Sequence, residues 1–264
     1  MPLLPFDPLP IAHALADAAA AESMRYFRTP LDIITKADES PVTLADRAAE
    51  TAMRDILGAR CPADGIYGEE HGRERLDAGR VWVLDPIDGT RSFITGSPLW
   101  GTLIGLVEGG RITLGLIDMP VLGERWIGRA GPDGAAVAER NGHPVRASGC
   151  QALAQARIVT TSPDIFSADE WRAFDALSRR CAMRRFGGDC YGYAQLAGGT
   201  IDLVVESGLQ PYDFLGPAGL IEAAGGIVTD WRGRPLGLDS GGRVVAAATP
   251  ALHAEALAGL RDVA

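Results

Sequence analysis

The spacing of apolar residues predicts two amphipathic helices at the start of the chain. Apolar side chains recur at three- and four-residue intervals from Ile11 to Phe27 and again from Thr43 to Leu57, which is the periodicity of a helix with one buried face. Gly58 and Pro62 follow the second pattern and are typical stop signals. The predicted fold therefore begins with two helices.

Short apolar runs come next and predict a sheet. They include Gly65-Ile66-Tyr67, Val81 to Leu84, and Leu99 to Met119, the last of which is interrupted by the turn signal Glu108-Gly109-Gly110. Asn141-Gly142 is a second strong turn signal. We therefore expect the first half of the chain to be α+β, with helices packed on a largely antiparallel sheet.

The pattern changes near Ala156, where β-like runs begin to alternate with helical ones. Helices are expected near Ala168 to Arg179, Tyr191 to Ala197 and Leu215 to Ala224, and such alternation is typical of an α/β layer. The predicted fold class is α/β overall, with an N-terminal α+β half at residues 1–148 and a C-terminal α/β half at residues 149–264.

The composition excludes several classes of function. The 264 residues are 47% hydrophobic and 22% charged, as in globular proteins, and 34 acidic against 25 basic residues give a net charge of −9. This charge argues against a nucleic-acid partner, because such proteins present a basic face. The N-terminal segment lacks the features of a signal peptide, and no stretch approaches the roughly 18 apolar residues of a membrane span. We therefore predict a cytoplasmic protein without a membrane partner.

Two aspartates in the segment VLDPIDGT carry the first chemical signal. Pro86 biases Asp85 toward an extended conformation, so we expect Asp85 to end a strand and the turn that follows to bring Asp88 to the same spot. Two such charges repel by about 4 kcal/mol near a protein surface, which calls for a shared proton or a cation, and these oxygen ligands suit Mg²⁺. The alternative is that both aspartates cap the next helix and line a solvated turn.

Two further acidic segments favour a carboxylate cluster. Glu69 and Glu70 follow another short β-like run, and Asp213 stands after Pro211 at the head of an apolar helix. Asp213 is an ordinary N-cap by itself. Folded against the aspartates of VLDPIDGT, it would complete a site for two hard cations with ligands from both halves. The helix predicted to open at Gly89-Thr90-Arg91-Ser92 has N–H groups that suit a phosphate.

These segments together resemble a known family. GEE, WVLDPIDGT, and YD followed by EAAGG are similar to the signature blocks of the inositol monophosphatase family of magnesium-dependent, lithium-sensitive phosphatases, and the likeness extends over nearly the whole chain. Within that family, RRFGGDCYGYAQLAGGTIDLVVESGLQPYD is most similar to the histidinol-phosphate phosphatases. The resemblance implies a layered αβαβα sandwich of the inositol monophosphatase and fructose bisphosphatase type, and commonly a homodimer.

The resemblance also implies roles for individual residues. The metal ligands would be the side chains of Glu69, Asp85, Asp88 and Asp213 and the carbonyl group of Ile87, with Asp85 bridging two Mg²⁺ ions. Asp88, Gly89, Thr90 and Asp213 would contact the substrate. Water activated by Mg²⁺ would attack in line and lose its proton through Thr90 and Glu69. Asp46 matches an acidic residue near a weaker third metal, whereas Glu50 is expected to face solvent or to pair with an arginine.

Substrate choice is expected to depend on the second half. Asp189 and Glu206 match positions on the alcohol side of the family's pocket, and Asp189 stands where inositol phosphatases usually have a small neutral residue. A carboxylate there would attract a cationic substrate through charge-assisted hydrogen bonds, in which Asp213 would share. The alternative is that Asp189 caps the helix that begins near Tyr191.

Three other residues are interpreted more simply. Tyr212 replaces a tryptophan that is common in the family and would keep an aromatic wall beside the site. Arg91 either assists substrate binding or forms a surface ion pair, and His71 is expected to be an ordinary exposed histidine.

The sequence therefore predicts a Mg²⁺-dependent phosphate monoesterase, with two or three metal ions per site, acting on L-histidinol phosphate. The alternatives in the same class are an inositol 1-monophosphatase and a 3′(2′),5′-bisphosphate nucleotidase. A non-catalytic, metal-binding regulatory protein is the alternative of a different class. A nucleotide-binding dehydrogenase is excluded, because no G-x-G-x-x-G follows a predicted strand.

Overall fold

The first two helices pack on each other through small side chains. The computed structural model describes residues 6–29, 33–35, 41–130 and 135–263, with helix α1 at Leu9–Tyr26 and helix α2 at Leu44–Arg60. Alanines fill much of the buried face of α1, and Met53 and Leu57 lie opposite them on α2. Both predicted helices are confirmed, although α2 continues through Gly58 to Arg60.

The next part of the chain forms an eight-stranded sheet, preceded by a short antiparallel hairpin of β1 (Ile33–Thr35) and β2 (Pro41–Thr43). The strands of the large sheet are β3 (Gly65–Gly68), β4 (Arg73–Glu74), β5 (Arg80–Asp88), β6 (Gly101–Glu108), β7 (Arg111–Met119), β8 (Glu124–Ala130), β9 (Ala136–Arg140) and β10 (His143–Pro144). Their order is β10-β9-β8-β7-β6-β5-β3-β4, and only the β3–β5 pair is parallel among these strands. The prediction of a largely antiparallel sheet with turns at Gly109-Gly110 and Asn141-Gly142 is confirmed.

Strand β5 is longer than predicted. Asp85 was expected to end it, but the strand continues to Asp88, which pairs with Gly101 of β6 after an irregularity in the register. Within this irregular stretch, the hydroxyl group of Thr102 donates to the carbonyl oxygen of Pro86 at 2.8 Å and so links β6 to β5 there. Long-range pairing therefore extends a strand that the local sequence signals end early.

The second half contains a five-stranded mixed sheet in the order β12-β11-β13-β15-β14. Its strands are β11 (Arg157–Thr160), β12 (Met183–Phe186), β13 (Leu203–Glu206), β14 (Ile227–Thr229) and β15 (Val244–Ala247). The remaining helices are α3 (Thr90–Ile94), α4 (Ala168–Ser178), α5 (Cys190–Ala197), α6 (Pro211–Ala223) and α7 (Pro250–Leu260), with short 3₁₀ turns at Leu153–Gln155, Pro163–Ile165 and Arg261–Val263.

Two helices of this half differ from the prediction. Helix α6 begins at Pro211 rather than near Leu215, because proline suits the first turn and Gln210 with Asp213 forms a reciprocal cap. Helix α7 was not predicted at all. Thr249 caps it and Pro250 occupies its first turn, which are start signals that the sequence does contain.

The elements stack in five layers, αβαβα, as the resemblance implied. Helices α1 and α2 cover one face of the large sheet, and α5 and α6 lie between the two sheets. Helices α4 and α7 cover the outer face of the small sheet. The central layer therefore joins both halves in one shared core, while the boundary at 148/149 stays a prediction. Among the described residues, no helix is both long and apolar enough to cross a membrane.

Candidate active site

The carboxyl ends of two parallel strands lie side by side and bring the first two acidic segments together. Gly68 of β3 pairs with Leu84 of β5, and the backbone N–H of Glu69 donates to the carbonyl oxygen of Leu84 at 3.2 Å. Glu69 and Asp85 therefore leave the same edge of the sheet. The expectation that the two acidic strand ends are neighbours is confirmed.

Three aspartates converge at this edge. One carboxylate oxygen from each of Asp85, Asp88 and Asp213 lies within 4.8 Å of the others. Asp85 is buried and the other two are half-buried. Asp213 arrives from the first turn of α6, so the group contains residues from both halves of the chain.

Backbone N–H groups fix the orientation of each aspartate. Asp85 accepts a hydrogen bond from Ile87 (3.1 Å), Asp88 from Cys190 (2.7 Å) and Asp213 from Gln210 (2.6 Å). Each bond occupies one carboxylate oxygen and leaves lone pairs for another partner. The three side chains are therefore held in place as acceptors.

The negative charges of these aspartates repel one another. Burial raises the pKa of the Asp85 carboxyl well above its usual range, and the charges of Glu69, Asp88 and Asp213 raise it further. Removal from solvent and the charges of Asp189 and Asp213 raise the pKa of Asp88 in the same way. A divalent cation relieves this repulsion, and a set of carboxylate oxygens of this size fits Mg²⁺. The donor set therefore fits the metal that the sequence predicted.

Two further groups predicted at the site lie beside the cluster. Asp46 is buried in the first turn of α2, and its charge contributes to the raised pKa of Asp85. Tyr212 is half-buried, with its ring 5.8 Å from that of Tyr67 in an edge-to-face arrangement. Burial raises its pKa, and the charges of Asp213 and Glu69 raise it further. The structure thus places an acidic side chain and an aromatic wall where they were expected.

The turn after β5 presents backbone groups next to the carboxylates. Thr90 begins α3, and its hydroxyl group donates to the carbonyl oxygen of Ile87 at 3.2 Å. Gly89 stands before it in a left-handed conformation, with φ +81°. The first turn of any helix has N–H groups without intrahelical partners, which suits anionic oxygens. Gly89, Thr90 and the Ile87 carbonyl group thus adjoin the cluster in the order that the motif predicted.

Asp189 faces this turn from the second half of the chain. Its carboxylate accepts a hydrogen bond from the hydroxyl group of Ser92 at 2.7 Å and lies so close to Gly89 that a Cβ added there would be 3.0 Å from it. Asp189 occupies the N-cap position of α5, where its backbone carbonyl oxygen accepts the Gly192 N–H at 3.1 Å, but its side chain makes no capping hydrogen bond to the described residues of that helix. The alternative that Asp189 is a helix cap is therefore wrong, because Ser92 holds the side chain over the cleft instead.

Glu206 lies deeper, at the end of β13, and is held by the protein itself. Its carboxylate accepts hydrogen bonds from the Thr161 hydroxyl group at 2.5 Å, the Thr161 backbone N–H at 2.9 Å and the Tyr193 hydroxyl group at 2.7 Å. Burial raises its pKa despite these donors. Glu206 therefore contributes to the wall of the site with most of its acceptor capacity already used.

Several of these groups line one cleft of about 650 Å³. Its floor contains Glu69, Asp88 and Asp213, and its walls contain Arg91, Asp189, Glu206 and the exposed side chains of Arg185 and Phe186. Arg91 therefore faces the cleft. Burial raises the pKa of Asp189, and the hydrogen bond from Ser92 and the charge of Arg91 offset part of this rise. A larger cleft of about 800 Å³ between α1 and β8 lies away from this group.

Two predictions about neighbouring residues have clear outcomes. His71 is exposed and contacts α2, with its Nε2 atom 3.1 Å from the Thr51 hydroxyl group, which agrees with an ordinary surface histidine. Glu50 is completely buried and pairs with Arg54 at 2.7 Å. The arginine pairing is confirmed and the solvent-facing alternative is wrong.

Two contributors were missed by the sequence interpretation. They are the Ser92 hydroxyl group and the backbone N–H of Cys190, which hold Asp189 and Asp88 respectively. Both contacts join residues about a hundred positions apart. Gly187-Gly188 before α5 was the available signal for the second, because such a pair suits a sharp entry into a helix whose first N–H groups meet an anion.

Comparisons with known proteins show the family of the chain. A model of the inositol monophosphatase family matches residues 8–263. The chain is 45% identical over 259 residues to the chloroplastic bifunctional phosphatase IMPL2 of Arabidopsis thaliana, covering 95% of this chain and 74% of that protein. It is 37% identical over 240 residues to a histidinol-phosphatase of Chlorobaculum parvum, covering 90% and 91%. A solved inositol monophosphatase from Zymomonas mobilis is 47% identical, with a TM-score of 0.87 over 97% of this chain and 98% of that one.

Proposed function

The chain belongs to the inositol monophosphatase family and is a phosphatase, and we propose that it is a Mg²⁺-dependent phosphate monoesterase that hydrolyses L-histidinol phosphate. The observation that carries the hydrolase part is the group of Asp85, Asp88 and Asp213, two of which line the floor of the cleft. Asp189, over the adjoining turn, carries the substrate part. Similarity to the histidinol-phosphatase of Chlorobaculum parvum supports the same substrate.

The proposed metal ligands are Glu69, Asp85, Asp88, Asp213 and the carbonyl group of Ile87, with Asp46 close to a third ion. When bound, Mg²⁺ supplies positive charge that polarises the phosphate ester and makes water more acidic. Two or three ions per site are proposed, because this many carboxylates exceed what one cation neutralises.

The chain's own residues bind and orient the substrate. Backbone N–H groups at Gly89 and Thr90 donate to phosphate oxygens, and the cleft walls hold the alcohol portion so that the ester faces the floor. Glu69 accepts the proton of the attacking water, and the hydroxyl group of Thr90 orients that water while it donates to Ile87.

The alcohol portion is selected by charge. Histidinol phosphate has an ammonium group and an imidazole ring beside its phosphate. Among the described residues, the Ser92 hydroxyl group donates to one oxygen of the Asp189 carboxylate, which leaves acceptor capacity for the ammonium group. Glu206 adds negative potential from behind the wall, and Asp213 adds it from the floor.

A second substrate is favoured by one observation. The inositol monophosphatase from Zymomonas mobilis shares 47% of its residues with this chain, so inositol 1-phosphate belongs in the same test. A neutral polyol gains only an ordinary hydrogen bond from Asp189, which is why we rank it second. A homodimer and a cytoplasmic location also stay predictions from the sequence.

The test is phosphate release by the purified protein with Mg²⁺ on L-histidinol phosphate, inositol 1-phosphate and adenosine 3′,5′-bisphosphate. We expect the highest kcat/KM with histidinol phosphate, and we expect both EDTA and Asp88→Asn to abolish release. Preference for inositol phosphate would leave the metal site in place and exclude the proposed role of Asp189. No metal-dependent release from any of the three would exclude the proposed function.

A further inference from the structure

Helix α2 contacts the acidic turn that carries Glu69 at several points. The turn runs from Gly68 to Gly72 and is closed by a hydrogen bond from the Gly68 N–H to the Gly72 carbonyl oxygen at 3.0 Å. Its side chains and backbone meet a row of residues on one face of α2, at three- and four-residue spacing: Arg47, Glu50, Thr51 and Arg54. The same helix presents Asp46 to the carboxylate cluster.

Glu50 is the centre of these contacts. One of its carboxylate oxygens, Oε2, accepts the backbone N–H of Glu70 at 2.6 Å. The other, Oε1, accepts the N–H of His71 at 3.2 Å and Nε of Arg54 at 2.7 Å. A carboxylate that binds two successive N–H groups fixes the peptide planes of that turn, and those planes set the direction of the preceding side chain.

Arg54 completes the contact from the other side. Its guanidinium group donates to Glu50, to the Gly72 carbonyl oxygen at 2.5 Å and to the Glu74 carboxylate at 2.6 Å. The approach is so close that a Cβ added at Gly68 would overlap Oε1 of Glu50. Both side chains of the ion pair are largely withdrawn from solvent, at 0% exposure for Glu50 and 12% for Arg54.

We propose that Glu50 and Arg54 are positioning residues for Mg²⁺ binding, because they hold the Gly68–Gly72 turn so that Glu69 faces the aspartate cluster. This inference rests on the proposed function, in which Glu69 is a metal ligand. Groups that orient metal ligands without touching the metal typically change metal affinity or activity about 10- to 100-fold when mutated.

Glu50→Gln is the sharpest variant, because glutamine has the same shape but only one acceptor oxygen. The NH₂ group of the glutamine would replace one of the two acceptor oxygens. It would face either the N–H of Glu70 or the donors of Arg54 and His71, so the turn would lose at least one hydrogen bond. Arg54→Lys is a milder second variant, since lysine keeps the charge but does not reach three acceptors at once.

Asp64→Asn is the matched control. Asp64 is also a buried carboxylate, pairs with Arg80 at 2.8 Å and accepts the indole N–H of Trp82 at 3.0 Å. It lies just before the amino end of β3, whereas the Glu69 turn follows the carboxyl end of that strand. A general loss of stability therefore affects both variants, whereas a loss of metal affinity is expected only for Glu50→Gln.

The experiment measures Mn²⁺ binding by electron paramagnetic resonance and the unfolding midpoint of each protein, followed by Mg²⁺ titration of phosphate release with p-nitrophenyl phosphate. We expect Glu50→Gln to weaken Mn²⁺ binding about 10-fold or more, with most of kcat restored at saturating Mg²⁺, and Arg54→Lys to weaken it less. Asp64→Asn is expected to lower the unfolding midpoint and keep wild-type Mn²⁺ affinity.

The outcomes separate the two proposals. Wild-type affinity in Glu50→Gln would overturn the positioning role, as would an equal loss in Asp64→Asn. A wild-type protein that binds no Mn²⁺ would overturn both the positioning role and the proposed metal site. If Glu50→Gln does not fold, the same comparison is made between Arg54→Lys and Asp64→Asn.

Discussion

Asp189 shows how one residue combines strain with specificity. Its backbone lies at φ +45° and ψ −134°, a region that residues other than glycine rarely occupy and that costs about 1–3 kcal/mol. The surrounding glycines and the Ser92 hydroxyl group nevertheless hold its carboxylate over Gly89. Strain of this kind persists where a side chain must stand in one place, and here that place is the wall of the cleft.

Asp189→Asn tests this role, because asparagine keeps the shape and removes the charge. We expect kcat/KM for histidinol phosphate to fall about 10- to 100-fold, since a charge-assisted hydrogen bond contributes about 1.5–3 kcal/mol. The value for inositol 1-phosphate is expected to change little. Steady-state kinetics with both substrates gives the comparison.

Asp164→Asn is the control for nonspecific charge. Asp164 is exposed at the rim of the same cleft, where a single charge changes binding by less than about fivefold. An equal loss in the two variants, or an equal loss for both substrates in Asp189→Asn, would contradict a specific contact between Asp189 and a cationic substrate.

Helix α6 packs closely on the large sheet and carries Asp213 in its first turn. It contacts β6, β7 and β8, and glycines on both sides of the interface allow its backbone to approach the sheet. A Cβ added at Gly128 of β8 would be 2.6 Å from the carbonyl oxygen of Gly219 and closer still to Cα of Leu220. Since Asp213 lies at the start of this helix, the contact also determines where Asp213, one of the proposed metal ligands, lies relative to the sheet.

Gly128→Ala is therefore expected to destabilise the protein by about 1–3 kcal/mol, the usual cost of an extra methyl group in a filled interface. Gly58→Ala is the matched substitution in an open place, because a Cβ at this helical position of α2 meets nothing within 4 Å. It should stabilise by about 0.5–1 kcal/mol. Chemical unfolding of both variants checks the signs, and a Gly128→Ala protein as stable as wild type would contradict the close contact.

The same elements show what the sequence could predict. Periodicity and turn residues predicted α1, α2 and the hairpins, because those signals are local. The extension of β5 to Asp88 depends on pairing with β6, and the start of α6 at Pro211 depends on the reciprocal cap formed by Gln210 and Asp213. The sequence motif predicted which aspartates form the cluster, but not the hydrogen bonds that hold them. The links from Ser92 to Asp189 and from Glu50 to the Glu69 turn join distant segments, so no local pattern predicts them.

At the scale of the whole molecule, the carboxylate cluster places negative charges from the two halves of an acidic chain close together, where they repel one another. Asp85 and Asp88 lie in the last part of strand β5 of the large sheet, whereas Asp213 lies in the first turn of a helix of the layer between the sheets. The net charge of −9 adds to this repulsion. A cation that binds only the folded cluster must therefore link the halves and stabilise the fold as a whole.

Mg²⁺ is expected to raise the free energy of unfolding by about 2.7 kcal/mol at one hundred times its dissociation constant, and EDTA should reverse the effect. Asp88→Asn is expected to remove the stabilisation by Mg²⁺. It is also expected to make the metal-free protein more stable by about 1 kcal/mol, because one repelling charge is gone while the amide oxygen still accepts the Cys190 N–H. Thermal unfolding with Mg²⁺, and with NaCl at matched ionic strength, separates binding from screening. If NaCl stabilises the protein as much as Mg²⁺ does, the cluster acts only through diffuse charge. A Mg²⁺-specific gain in the free energy of unfolding that is lost in Asp88→Asn requires a bound ion. A change in general stability alone would not make the metal-free variant more stable and also remove its response to Mg²⁺.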